Sequence, residues 1–195
     1  MSGSITGVVL AAGAAERMGE PKLLLPFGDR TVLNSTLGAV EASRVDRVIA
    51  VTGANAEAVE ASILAVRATV VRNPDYRRGN MSSLLIATST DAEAAAFILV
   101  AGDQPTTRTE VIDALVEVWG ESRPWAAVTE YDDRIANPFL ISRAALESMV
   151  EVAGEKVLGR LLIEADDDRV VRVRFAGAAP RDVNTPRDYE ALLGE

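Results

Sequence analysis

Arg17, Lys22 and Asp103 supply two cations and one carboxylate in a chain that has no histidine and no cysteine. The cations follow a run of small residues, Leu10-Ala11-Ala12-Gly13-Ala14-Ala15, and small side chains let main-chain N–H groups come close to a ligand. A loop of such amides with Arg and Lys beside it is a cradle for phosphate, so the segment reads as a nucleoside triphosphate site. Asp103 stands at the end of the apolar run Phe97-Ile98-Leu99-Val100-Ala101-Gly102, before Gln104-Pro105. A carboxylate at the exit of a buried strand has a fixed backbone and suits a hard divalent ion. An ordinary turn before a helix opened by Thr106 or Thr107 is the plainer alternative.

The two missing residue types narrow the chemistry. Without histidine and cysteine there is no Ser-His or Cys-His triad, no thiolate and no zinc cluster, so a metal must be held by oxygen, which means magnesium or manganese. A formal net charge of −9 argues against nucleic acid as a partner, since that needs clustered Lys and Arg. No apolar stretch is long enough to span a bilayer. The Ile5–Ala15 segment mimics a short signal core, yet it lacks a basic leader and runs into Glu16 and Arg17, so the expectation is a cytoplasmic protein without a membrane partner.

Positioning these residues requires strands that end where the loops begin. Periodicity predicts strands at Thr6–Ala11, Arg47–Thr52, Thr69–Val71, Ala96–Ala101, Ala126–Thr129, Phe139–Ile141 and Val170–Arg174. Amphipathic helices are predicted at Val32–Ser43, Glu57–Val66, Ser82–Thr90, Arg108–Trp119, Arg143–Val150 and Lys156–Glu164. This alternation is that of one α/β domain over residues 1–195, with a mostly parallel sheet and helices on both faces. Ligands bind such sheets at the carboxyl ends of the strands, which places the loops after Ala11 and Ala101 on one crevice. The Asp166-Asp167-Asp168 run reads as a solvated turn.

Gly-x-x-x-x-Gly-Lys-Ser/Thr and the dinucleotide fingerprint are both absent. The combination Leu-Ala-Ala-Gly, Arg17-Met18-Gly19 and Pro21-Lys22-Leu23-Leu24-Leu25-Pro26 resembles the start of the MobA-like nucleotidyltransferases, which include molybdenum cofactor guanylyl- and cytidylyltransferases. The resemblance implies a Rossmann-like three-layer α/β/α fold with one antiparallel strand. It implies that Leu10, Ala11, Ala12 and Gly13 bind the nucleotide, with the amides near Ala12 and Gly13 holding phosphate oxygens, that Arg17 binds the β- and γ-phosphates, and that Lys22 reaches the α-phosphate. Asp103 becomes the metal-binding aspartate.

Two further segments extend the likeness. In Arg181-Asp182-Val183-Asn184-Thr185-Pro186, Thr185 and Pro186 read as the N-cap and first residue of a helix. Just ahead, Asp182 or Asn184 could be a second oxygen ligand, and the resemblance to x-Asp/Asn-Thr-Pro favours Asn184. In Asn73-Pro74-Asp75-Tyr76-Arg77-Arg78-Gly79-Asn80-Met81-Ser82-Ser83, Gly79 supplies a turn, and Ser82 and Ser83 can cap the next helix while offering hydroxyls to a base. Relatives with Ala-Ala-Gly and Gly-Met-Ser-Ser tend to be cytidylyltransferases, and the Ala12 methyl gives a steric reason to prefer a pyrimidine, so CTP is the favoured nucleotide.

The acceptor is less defined. Where molybdopterin cytidylyltransferases often carry Gly-His-Pro, this chain reads Ile135-Ala136-Asn137-Pro138, and Asn137 cannot titrate. Lys156 and Arg160 are candidate phosphate contacts or plain helix-surface charges. Three readings stay open: transfer of CMP to molybdopterin or another phosphorylated small molecule, with a molybdoenzyme or its chaperone as a candidate partner; a guanylyl- or sugar-phosphate nucleotidyltransferase; and a non-catalytic nucleotide or cofactor carrier, such as a chaperone that delivers cofactor to an oxidoreductase.

Overall fold

The structure is a computed structural model that describes residues 3–15, 17–153 and 169–194. Its elements are β1 (Ile5–Ala11), β2 (Pro26–Phe27), β3 (Arg30–Thr31), α1 (Val32–Glu41), β4 (Arg47–Thr52), α2 (Ala56–Ser62), β5 (Ala68–Arg72), α3 (Asn80–Thr90), β6 (Ala96–Ala101), α4 (Thr109–Ser122), β7 (Ala126–Glu130), β8 (Ile135–Ser142), α5 (Arg143–Ala153), β9 (Val170–Arg174) and α6 (Pro186–Leu193). Seven strands form one sheet in the order β5-β4-β1-β6-β8-β7-β9. Only β8 runs against its neighbours; the other pairs are parallel. The mostly parallel α/β architecture with one antiparallel strand is therefore present, while β2 and β3 form a separate ribbon too short for periodicity to reveal.

The strands are apolar on both sides because both faces are covered. Val9, Ala50 and Ile98 face Leu33 and Leu37 of α1 and Ile112 and Leu115 of α4. Val8, Ile49 and Phe97 face Met81 and Leu84 of α3 and Leu146 and Met149 of α5. Truncating one of the fully buried leucines, such as Leu33 or Leu115, to alanine costs about 2–5 kcal/mol. Trp119 and Phe139 are both core residues.

Tertiary contacts reset several predicted boundaries. Helix α2 stops at Ser62 instead of Val66 because the Asn34 amide from α1 replaces its next turn. Asn34 Nδ2 donates to the Ser62 carbonyl at 2.8 Å, and Asn34 Oδ1 accepts from the Leu64 N–H at 2.9 Å. Strand β8 begins four residues before its apolar core, since its first residues pair with β7 across a register shift at Val128/Thr129 that accompanies a cis Asn137–Pro138 bond. Helix α6 opens at Thr185 with a reciprocal capping box to Asp188 and Pro186 in its first turn. The predicted Lys156–Glu164 helix, the Asp166–Asp168 turn, Arg160 and Glu16 lie outside the described residues. Among the described residues no helix is long and apolar enough to cross a membrane.

Candidate active site

The chain leaves β1 for β4 and β5 on one side, then returns to β6 on the other side of β1. That reversal opens a crevice at the carboxyl ends of β1 and β6. The register aligns the two ends, Leu10 opposite Ala101, and the Gly102 N–H donates to the Leu10 carbonyl at 3.0 Å. The loops that follow are thereby held side by side.

Lys22, Asp103 and Asn184 meet over this crevice. Lys22 begins a single turn of 3-10 helix after Pro21, and its side chain reaches Asp103 with 12% and 18% of the two side chains exposed. The ammonium donates to Asp103 Oδ2 and, at 3.1 Å, to Asn184 Oδ1. Asn184 is brought in by its own segment, because the Val183 N–H donates to the Asp103 carbonyl at 3.0 Å and Gln104 Nε2 donates to Asp182 Oδ1 at 2.7 Å. The two candidates for a second oxygen donor thus occupy different places: Asn184 shares a cation with Asp103, while Asp182 faces Gln104. Desolvation raises the Asp182 carboxyl above the usual aspartate range, and the charge of Asp103 adds to it, although the residue keeps an exposed side.

A divalent cation suits this donor set. Two side-chain oxygens already converge on one positive centre, the Lys22 ammonium, and no group of three or more acidic residues able to hold a metal exists among the described residues. An ion with two protein oxygens and the remainder from phosphate and water matches the habit of magnesium.

The β1 loop forms the opposite wall. A Cβ on Gly13 would meet no atom within 4 Å, so its open side is unused by the fold. Gly13, Ala15, Pro21, Lys22, Leu23, Ala54, Asn55 and Val59 line a shallow pocket there. Ala15 adopts a left-handed conformation at φ 52°, a sparsely populated region for a residue with a side chain. Ala12 differs from the expectation of a methyl facing the base. It is 6% exposed, its carbonyl accepts from the Ala54 N–H at 3.1 Å, and a Cβ on Gly53 would lie 2.8 Å from its own. The methyl therefore packs on the loop after β4. Leu10 is half-buried and Ala11 buried within β1. Arg17 is exposed, outside the hydrogen bonds of the lysine cluster; its charge reaches Asp188 in the first turn of α6, where bonds from Thr185 are the main cause of a lowered carboxyl pKa.

The loop after β5 corrects another expectation. Gly79, at φ 106°, is itself the N-cap of α3, a backbone conformation that a side chain would strain. Neither serine caps the helix: the Ser82 hydroxyl donates to the Gly79 carbonyl at 2.7 Å, and Asn73 Nδ2 donates to Ser82 and Ser83 Oγ at 2.9 Å each. Both hydroxyls are buried in holding the loop. Sequence reasoning gave no role to Asn73 or Gln104; the available signal was that Asn73 directly follows β5 and that Gln104 directly follows Asp103. Asn137 lies at the same end of the sheet, its carbonyl accepting from the Tyr131 hydroxyl at 2.9 Å.

Comparison with known proteins identifies the family and the fold. Residues 7–170 match the MobA-like NTP transferase domain. The molybdenum cofactor cytidylyltransferase of Escherichia coli K12 is 27% identical over 188 residues, covering 95% of this chain and 94% of that protein. The crystal structure of Rv0371c from Mycobacterium tuberculosis H37Rv superposes with a TM-score of 0.86 at 30% identity over 100% of both chains. A manganese complex of the same mycobacterial protein gives 0.82 at 31% identity over 98% of each.

Proposed function

The chain belongs to the MobA-like NTP transferase family, and from that premise we propose that it moves CMP from CTP onto the phosphate of a small molecule, the molybdopterin cofactor, releasing pyrophosphate with magnesium or manganese. The nucleotidyltransferase class comes with the family. The convergence of Lys22, Asp103 and Asn184 at the ends of β1 and β6 is the observation that carries the rest. The likeness to the E. coli cytidylyltransferase supports CTP and the molybdopterin acceptor, and the manganese complex of the mycobacterial relative supports a divalent ion.

An acceptor phosphate is largely ionised near neutral pH and needs no side-chain base, in keeping with a chain without histidine. One of its oxygens forms a bond to the α-phosphorus while the bond from that phosphorus to the bridging oxygen breaks, and pyrophosphate carries away the electron pair. The residues must align these groups and neutralise charge. Amides beside Gly13 and the Arg17 guanidinium would hold phosphate oxygens; Lys22 would turn from Asp103 toward the α-phosphate as the nucleotide enters. Asp103 and Asn184 would hold the divalent ion, which supplies charge neutralisation on the triphosphate.

The test is pyrophosphate release from CTP, GTP, UTP and ATP, crossed with molybdopterin and a panel of sugar phosphates, in magnesium and in manganese. Turnover with CTP and molybdopterin is expected. Preference for GTP or for a sugar phosphate would replace the substrate assignment, and tight nucleotide binding without turnover would identify a carrier.

A further inference from the structure

We infer that Gln104 and Asp182 are positioning residues that set the spacing of the Asp103 and Asn184 oxygens, and so tune metal affinity without touching the ion. The inference rests on the reading of Asp103 and Asn184 as the metal donors. These two donors are 81 positions apart in sequence (184 − 103), and no secondary-structure element carries both. Besides the Lys22 ammonium between their side chains, a two-point clamp joins their segments. One point is main chain, the Val183 N–H on the Asp103 carbonyl at 3.0 Å; the other is side chain, Gln104 Nε2 on Asp182 Oδ1 at 2.7 Å.

The Gln104 end of the clamp is rigid. Its N–H donates to the Ala101 carbonyl at 3.2 Å, and its own carbonyl accepts from the Thr107 N–H at 3.0 Å and hydroxyl at 2.8 Å. The side chain is 3% exposed and spends its amide nitrogen on Asp182, leaving Oε1 buried and without a partner among the described residues. The bond to Asp182 is thus the one side-chain hydrogen bond that Gln104 makes among the described residues. Asp182 and Asn184 flank Val183, which is itself 1% exposed and packs with Met18, Val32 and Leu192. Locking Asp182 on one side of that anchor fixes the direction in which Asn184 leaves on the other. Gln104 adjoins Asp103 in the chain and Asp182 lies two residues from Asn184, so the clamp acts on the donors through the main chain. Partners bonded directly to metal ligands change affinity by about 10- to 100-fold when removed, and the lower end of that range is expected here.

Mn2+ binding to the full-length protein, followed by the electron paramagnetic resonance of the free ion with and without CTP, tests the inference independently of turnover. Gln104→Leu and Asp182→Ala should each weaken Mn2+ binding by about 10-fold or more, with far-UV circular dichroism unchanged. Asp182→Asn keeps an oxygen for Gln104 Nε2 and should stay within about 3-fold of wild type. Where turnover is measured, saturating Mn2+ should restore kcat in Gln104→Leu. Unchanged Mn2+ affinity in Gln104→Leu overturns the clamp; a loss in Asp182→Asn equal to that in Asp182→Ala overturns it in favour of Asp182 acting through its charge. A wild-type protein that binds no Mn2+ with or without CTP removes the underlying metal reading as well. The variant series in Mn2+ affinity stands even if no nucleotide is turned over.

Discussion

Each end of the sheet carries a carboxylate paired with a cation, and the two pairs are built differently. At the amino end, Asp91 is 3% exposed; its Oδ2 accepts from the Thr6 hydroxyl at 2.5 Å and its Oδ1 from Arg47 at 2.7 Å, while Arg143 donates to its main-chain carbonyl at 2.7 Å. Both carboxylate oxygens and the main-chain carbonyl are matched by groups that the fold itself supplies, so the cluster staples the end of α3 to β1, β4 and the start of α5. At the carboxyl end, Asp103 meets the ammonium of Lys22, a point charge on a flexible stem that a competing cation can replace. A saturated pair fits a structural role; an exchangeable one fits ligand exchange.

The contrast breaks first at its strongest point. Asp103→Ala should lower pyrophosphate release by about 10³-fold, about 4 kcal/mol of transition-state stabilisation, with little change in thermal midpoint. Normal release from this variant would sink the proposed mechanism. Asp91→Ala should do the reverse, lowering stability by about 2–3 kcal/mol and the midpoint by roughly 5–10 °C, while the folded fraction keeps its kcat in scanning calorimetry and turnover measured side by side.

Lys22→Met sharpens the comparison further. It removes the charge but keeps most of the stem, so turnover should fall by about 10²-fold. Mn2+ should meanwhile bind more tightly in the absence of nucleotide, because the ammonium no longer competes for Asp103 and Asn184; an Mn2+ titration that finds weaker binding would show that Lys22 does not occupy the ion's place.

The smallest effect concerns a pair at the carboxyl end that belongs to the structural kind. Glu60 accepts from the Thr52 hydroxyl at 2.6 Å and from Arg72 at 2.6 Å, and the Arg72 bond is the leading cause of a carboxyl pKa lowered from 4.5 to about 2. A depressed folded-state pKa means that the contribution is whole above 4.5 and fades as pH falls toward 2. The difference in urea midpoint between wild type and Glu60→Gln should therefore shrink over that window, with turnover at neutral pH little changed. A constant difference would show that the pair does not titrate with folding.

How much could be read beforehand depended on the range of the forces involved. The strands of the central sheet were legible because burial on two faces demands unbroken apolar runs such as Phe97–Val100. The end of α2 was not, since the group that terminates it is Asn34, 28 positions before Ser62. Ser82 and Ser83 looked like caps because hydroxyls near a helix start usually are; Asn73 took their oxygens instead. Ala12 looked like a contact for the base, and only the approach of Gly53 shows its methyl facing the protein.

The sequence by itself determined the fold class, the family and the inventory of chemistry: one amide-rich loop, two cations after it, a carboxylate at a strand exit, and no histidine or cysteine to direct the reaction elsewhere. Those follow from residue type and local spacing. Tertiary structure alone decided that Lys22, Asp103 and Asn184 share one point and that Asp182 turns to Gln104. Convergence of side chains so distant in the chain depends on strand order and on hydrogen bonds that form only after the sheet has closed around its core.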